Sequence, residues 1–250
     1  MLAKRIVACL DIKDGRVVKG RRFRHLRDSG DPPECARRYR EEGVDELVVL
    51  DVSATLEERL ASLRTIERIA SAMDIPVTVG GGVRFVDDFS RLLDAGADKV
   101  AVNSAAVANP DLIACASQRY GRQCVVLSVD AYRAPPAYAY AIRSGTQSQD
   151  GDPVAWACEA ESLGAGEVLL TSIDRDGTKS GFDLELISIC YERLGIPIVA
   201  SGGARDADSF ADALSAGADA ALGASVFHER ELSIEEVKRR CAERGLVVRL

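Results

Sequence analysis

Two aspartates, Asp11 and Asp130, each close an apolar run of strand length, Arg5 to Leu10 (RIVACL) and Cys124 to Val129 (CVVLSV). Carboxylates at the ends of buried strands can divide general acid and general base work if their surroundings push the two pKa values apart. The plainer reading of either aspartate is a turn or helix cap, but a pair in matching places favours chemistry. Gly80 to Gly82 and Gly202 to Gly203 each stand between an apolar run and a helical pattern. Backbone N–H groups at such glycines can approach a phosphate, and a helix N-terminus adds positive dipole. One such turn is unremarkable. Two related turns, with Asn103-Ser104 and Ala224-Ser225 also in matching places, point to two grips and a long ligand carrying a phosphate at each end. Asp176, Gly177 and Thr178, in a polar loop, are candidate substrate contacts, although a plain Asp-Gly turn is the simpler account. Lys19 offers a point charge for an anionic substrate, or is a solvated loop lysine. His25 and His228 have no motif partner and are left out of the site. No cysteine spacing suggests a metal, and no G-x-G-x-x-G opening suggests a dinucleotide, so neither metal nor cofactor is expected.

The elements that must carry these residues are written twice. Ile75 to Ser104 reads strand, glycine turn, helix, tight turn, strand, and Ile196 to Ser225 repeats it at an offset of 121, with 13 of 30 positions identical. Such self-similarity decides the fold before any local detail. Expected strands are 5–10, 46–50, 76–79, 99–102, 124–129, 167–171, 197–200 and 219–222. Expected helices are 32–42, 57–73, 86–95, 109–119, 153–163, 183–194, 206–215 and 233–244. Residues 16–31 read as a long loop, 138–142 as part of a short hairpin and 144–152 as a polar loop. The helix-ending glycines Gly43, Gly96, Gly164 and Gly217 fall at intervals of 53, 68 and 53 residues, as two half-barrels of four strand–helix units would leave them. Strands alternating with helices predict a parallel sheet with right-handed crossovers. The expectation is an α/β fold, a closed (β/α)8 or TIM barrel, as one domain over 1–250 with half-barrels of about 1–120 and 121–250. An open doubly wound sheet explains neither the repeat nor the missing fingerprint. In such a barrel, chemistry sits at the C-terminal strand ends.

The 250 residues are 47% hydrophobic and 28% charged, with a formal net charge of −7. That balance argues against a general nucleic-acid or acidic-membrane binder, which needs a basic face. Seven scattered cysteines, at 9, 35, 115, 124, 158, 190 and 241, fit reduced thiols and a cytoplasmic setting. No apolar run approaches the roughly 20 residues of a membrane span, and no signal segment is evident. At the other end of the barrel, Arg5, Glu46, Lys99 and Glu167 each begin an apolar strand. Charges at strand starts usually face solvent; four of alternating sign can instead pair as a ring that plugs or gates the axis.

Beyond these patterns, particular stretches resemble a known family. Leu2 to Gly20 (LAKRIVACLDIKDGRVVKG), Leu26 to Pro32, Val79-Gly-Gly-Gly82, Gly164-Ala-Gly-Glu167, Leu170 to Gly181 (LTSIDRDGTKSG), Ala200 to Gly203 and Ala224 to His228 (ASVFH) are similar to the cyclase subunit of imidazole glycerol phosphate synthase, the HisF family of histidine biosynthesis. The resemblance covers essentially the whole chain. It implies a lyase-type cyclase acting on a phosphoribulosyl-formimino aminoimidazole carboxamide ribonucleotide with two phosphates. It further implies ammonia delivered through the barrel from a glutaminase subunit (HisH) docked on the N-terminal face. Asp11 and Asp130 match the family's acid/base pair; Arg5, Glu46, Lys99 and Glu167 match its charged gate. Departures follow strand five: Tyr132 replaces a basic residue, and Gly145 to Gly151 (GTQSQDG) replaces a glycine-basic-Thr-Gly pattern. Ser53 stands where many relatives have threonine. Two other activities are weighed against the cyclase: the related isomerase of the preceding step, which shares the duplication and grips, and a weakened barrel serving mainly as glutaminase activator or ammonia conduit.

Overall fold

A computed structural model describes residues 2–21 and 24–250, with the side chains of residues 19–26 outside that description. Eight parallel strands form a closed ring: β1 Arg5–Lys13, β2 Glu46–Asp51, β3 Val77–Gly80, β4 Lys99–Val102, β5 Val125–Ala134, β6 Glu167–Ser172, β7 Ile198–Ser201 and β8 Ala220–Gly223. Each pairs with the next, and β8 closes on β1 through Arg5–Ala220 to Ala8–Gly223. Eight helices follow in alternation: α1 Pro32–Glu41, α2 Leu63–Ala70, α3 Val86–Asp94, α4 Asp111–Tyr120, α5 Pro153–Leu163, α6 Leu184–Arg193, α7 Ala207–Ser215 and α8 Ile234–Glu243. This is the (β/α)8 barrel. Among the described residues, no helix is long and apolar enough to cross a membrane.

Local chemistry explains the repeated boundaries. Asp45, Asp98 and Asp219 each stand just before a strand and accept an N–H at the start of the strand before it: Ile6, Val77 and Ile198, at 2.7, 2.8 and 3.1 Å. The aspartates shared by the two copies of the repeat are therefore staples between neighbouring strands. Gly43, Gly96, Gly164 and Gly217 all take positive φ, the left-handed turn that ends a helix without a Cβ penalty. Apolar side chains separate into two bodies. Val7, Cys9, Val48, Ala101, Val126, Leu169, Val199 and Leu222 fill the barrel axis, while a larger set including Phe89, Trp156 and Phe210 packs helices onto its outside.

Several boundaries differ from the sequence expectation, each for a physical reason. Where a long loop is expected over 16–31, Arg16–Arg21 and Arg24–Gly30 pair as antiparallel strands. Asp14 and Gly15 both have positive φ, the tight turn that lets a strand fold straight back. β1 therefore runs on to Lys13, and Asp11 lies inside a strand, not at its end. β5 likewise continues to Ala134 and folds back as Ala137–Ile142, so Asp130 is also internal. The loop at 144–152 holds a third short strand, Gln147–Gln149. The helix expected from 57 begins only at Leu63, because Asp51 holds residues 53–59 in turns. Its Oδ1 accepts the Ser53 and Ala54 N–H groups, and both its oxygens accept from Arg59.

Candidate active site

Strand register places the two aspartates with respect to each other. Asp11 pairs with Leu50 of β2 and Asp130 with Thr171 of β6. Leu50 and Thr171 are 121 residues apart, the repeat offset, so Asp11 and Asp130 occupy equivalent positions in the two halves although 119 residues separate them. Their surroundings differ. Asp130 is buried, and Asn103 Nδ2 donates to its Oδ2 at 2.9 Å. Burial, then the charge of Asp176, push its carboxyl up; the Asn103 bond pulls it partly back, leaving it at about 7. Asp11 is half-exposed, with the Cys9 thiol 3.6 Å from its Oδ1. Two carboxyls in matching places but unlike environments are what an acid/base division requires.

Asp130 shares one cavity, of about 490 Å³, with Gly81, Gly82, Asn103, Ser104 and Thr171. Gly81 and Gly82 have φ of +120° and +69°, and a Cβ on them would meet the Asp51 carbonyl oxygen at 2.6 Å and that of Arg59 at 1.7 Å. Only glycine fits this close crossing. Asn103 and Ser104 start a short helix, Ser104–Ala108, absent from the sequence expectation; its counterpart, Ser225–His228, starts 121 residues later. The second turn copies the first: Gly202 and Gly203 have φ of +89° and +99° and back onto Ser172 and Gly181 carbonyls. Gly202, Gly203, Ala224 and Ser225 do not line the cavity, nor do Asp11, Asp176, Gly177 and Thr178. Asp176 is nonetheless electrostatically coupled to Asp130. The Thr178 hydroxyl turns into its own loop, 2.6 Å from the Arg175 carbonyl oxygen. The Lys19 backbone pairs with Arg27 in the hairpin; its side chain lies outside the described residues.

The turn between Ala137–Ile142 and Gln147–Gln149 reaches the same side of the barrel mouth. The Arg143 N–H donates to Ser104 Oγ at 2.9 Å and the Ser144 hydroxyl to the Val52 carbonyl at 3.2 Å. Arg143 itself lines the cavity, so this loop keeps a cation at the site despite Tyr132 and the polar 145–151 stretch. Tyr132 pairs with Ala139 across the hairpin. Sequence reasoning missed Arg143, Ser144 and Thr55, whose hydroxyl accepts the Gly82 N–H at 3.2 Å. It also missed Arg59, held by Asp51 and the Ser53 hydroxyl at 2.8 Å. Asp51 at a strand end was the available signal; nothing local marks its partner.

At the opposite end, four charges close a ring. Arg5 bonds Glu46 and Glu167, both at 2.5 Å, and Lys99 bonds the same two at 2.7 and 2.6 Å. The Thr78 hydroxyl adds a bond to Glu46 at 2.8 Å. Burial raises the Glu46 carboxyl, but Lys99 and then Arg5 outweigh it and hold the group below its ordinary value. The ring spans the axis beneath the apolar interior.

Comparison with known proteins adds a family. The family model described as histidine biosynthesis protein matches residues 5–233. The chain is 50% identical over 250 residues to the imidazole glycerol phosphate synthase subunit HisF of Sulfurisphaera tokodaii, covering all of both. The HisF subunit of Corynebacterium urealyticum is 55% identical over 237 residues, 94% of each chain. That of Dehalococcoides mccartyi is 51% identical over 251 residues, covering 100% of this chain and 99% of its own.

Proposed function

This chain belongs to the histidine biosynthesis protein family, among the imidazole glycerol phosphate synthase subunits HisF, and on that premise we propose how its barrel carries out the cyclase reaction. The substrate is a phosphoribulosyl-formimino aminoimidazole carboxamide ribonucleotide. With ammonia it yields imidazole glycerol phosphate, the aminoimidazole carboxamide ribotide and water. One phosphate rests at Gly81, Gly82, Asn103 and Ser104, the other at Gly177, Gly202, Gly203, Ala224 and Ser225. The middle of the substrate then lies between Asp11 and Asp130. Asp11 acts as acid while ammonia adds to the ketone and water leaves. Asp130 takes a proton as the ring closes and the ribotide departs. Asp176 and Thr178 line the second half of the mouth, and Lys19 supplies charge from the hairpin.

The observation that carries this reading is the Asp130 carboxyl, buried in the wall of the same cavity as the first glycine turn and poised at about 7. A general base works best near the operating pH. Ammonia is supplied by a glutaminase subunit (HisH) on the face where the strands begin. There Leu2 and Leu250 are 90% and 92% exposed, and Lys4 pairs with the C-terminal segment at Val247, which supports an apolar docking face. The ring of Arg5, Glu46, Lys99 and Glu167 gates entry. Above it, the apolar interior admits neutral ammonia far more cheaply than ammonium. No cofactor takes part in this scheme. Proton transfer, water loss and bond cleavage need only the two carboxyls.

The test is turnover by the isolated chain with an ammonium salt as nitrogen donor. Cyclisation by wild type, with Asp11→Asn and Asp130→Asn variants that bind substrate but do not react, is the expected result. Normal turnover in either variant overturns its assigned role. Isomerisation of the unisomerised ribosyl substrate at a comparable rate would favour the isomerase, and glutaminase stimulation without cyclisation would favour the conduit.

A further inference from the structure

His228 ends the short helix Ser225–His228 that follows β8 and whose first residue, Ser225, belongs to the second phosphate site proposed above. Its ring is engaged at both nitrogens. Nε2 lies 2.8 Å from the Ser29 carbonyl oxygen; a carbonyl only accepts, so Nε2 carries the hydrogen. Nδ1 lies within hydrogen-bond reach of the Tyr39 hydroxyl, at 3.2 Å. Tyr39 is fully buried in α1, and burial holds its phenol above the usual range, so it remains a donor. Ser29 belongs to the hairpin arm Arg24–Gly30, whose partner arm carries Lys19.

The residues that follow reach two active-site loops. Glu229 lies 3.5 Å from Arg27 of the hairpin and 3.4 Å from Lys179, while Glu231 bonds Lys179 at 2.6 Å. Lys179 follows Asp176, Gly177 and Thr178 in the β6 loop. Magnitudes separate these contacts. The Arg27–Glu229 pair has side chains 77% and 35% exposed, and such surface pairs contribute little. The two bonds of the His228 ring run to a buried phenol and to a backbone carbonyl, where an unmade bond costs more.

We propose that His228 is a positioning residue that ties the β1 hairpin to the short helix starting at Ser225 in the second phosphate site. On the two-phosphate reading given above, a phosphate held at Gly203 and Ser225 and the hairpin bearing Lys19 are then set in place together. His228 touches neither substrate nor reacting atoms; it acts through Ser29 and the hairpin.

The experiment compares His228→Phe, which keeps the ring volume and removes both bonds, with His228→Gln, which keeps an N–H for the Ser29 carbonyl. Three quantities are read on the full chain: tryptic cleavage after Arg21, Arg24 or Arg27 without ligand, KM and kcat with ammonium as donor, and the unfolding midpoint. The Phe variant is expected to show hairpin cleavage and KM each raised roughly tenfold, the equivalent of one net hydrogen bond, with kcat changed less. Its midpoint should fall only by what one unmade buried bond costs, too little to account for the cleavage through global unfolding, and Gln should recover most of the cleavage and KM effects. Cleavage and KM unchanged in the Phe variant overturn the proposal. So does a fall in midpoint that accounts for the cleavage and that Gln fails to restore, which makes the ring a space-filler. If wild type itself does not cyclise, the function above fails, while the ligand-free cleavage comparison still decides whether His228 holds the hairpin.

Discussion

The Asn103 side-chain amide donates to Asp130 Oδ2 at 2.9 Å, and it is the influence that holds the Asp130 carboxyl down against burial and the charge of Asp176. With that bond in place the group sits at about 7. In the base role proposed above it must be ionised, so kcat/KM should rise with pH through an acidic limb centred near 7. Asn103→Ala removes the bond and should move the limb upward by about one pH unit. A limb that does not move in the variant would detach Asp130 from the base role. The pH–rate profile with saturating ammonia is the measurement.

The same shift has a consequence for stability. The folded pKa of about 7 lies above the ordinary 3.8, so folding favours the protonated carboxyl. Its contribution is fully present below pH 3.8 and is lost as pH rises through 7. At pH 8 the wild type bears a buried carboxylate at a cost of about 2–4 kcal/mol. Asp130→Asn carries no charge to bury. The variant should therefore resist urea better than wild type at pH 8, by roughly that amount, and match it near pH 4. Equal midpoints at both pH values would contradict the burial argument.

The ring at the strand starts shows the opposite sign. Glu46 is held below its ordinary 4.5 by Lys99 and Arg5 against its burial. Its contribution is present above pH 4.5 and is lost as pH falls through the folded value. Lys99→Met leaves Glu46 and Glu167 sharing Arg5 alone, and should destabilise the barrel by about 2–4 kcal/mol at pH 7, since a broken buried pair leaves charge uncompensated. The gap between variant and wild type should narrow as pH falls below about 4.5. Urea unfolding across pH 3 to 7 reads this directly, and a gap constant with pH would mean that Lys99 acts by packing.

Gly82 has φ of +69°, and an added Cβ would lie 1.7 Å from the Arg59 carbonyl oxygen. Gly82→Ala should cost about 2–4 kcal/mol through strain and displacement of the 53–61 segment. It should raise KM far more than Gly43→Ala, whose added Cβ meets nothing within 4 Å. A Gly82→Ala variant with wild-type KM would remove the first turn from the phosphate site.

Much of the barrel was legible from one dimension. Buried parallel strands are apolar runs, helices carry their own period and glycine stops, and the 121-residue repeat shows in residue identity alone. The sequence predicts the helix 153–163 at its observed bounds because Asp152, Pro153 and Gly164 are all local signals. The helix expected from 57 instead begins at Leu63, since its start depends on Asp51 holding Arg59, a pairing that spacing does not announce. The hairpin after β1 reads as a loop in the sequence because its strands are largely polar and charged, with no alternating pattern.

What chemistry-bearing residues exist, and which strands carry them, followed from the order of amino acids alone: Asp11, Asp130, the two glycine turns and the four charges at the strand starts. Their relationships did not. Only closure of the sheet made Asp11 and Asp130 equivalent through Leu50 and Thr171, joined Arg5 to Glu46 and Glu167, and brought His228 beside Ser29 and Tyr39. The reason is physical. Strand and helix patterns are set by neighbours within a few residues, whereas a pKa or an ion pair depends on burial and on charges that arrive from distant parts of the chain.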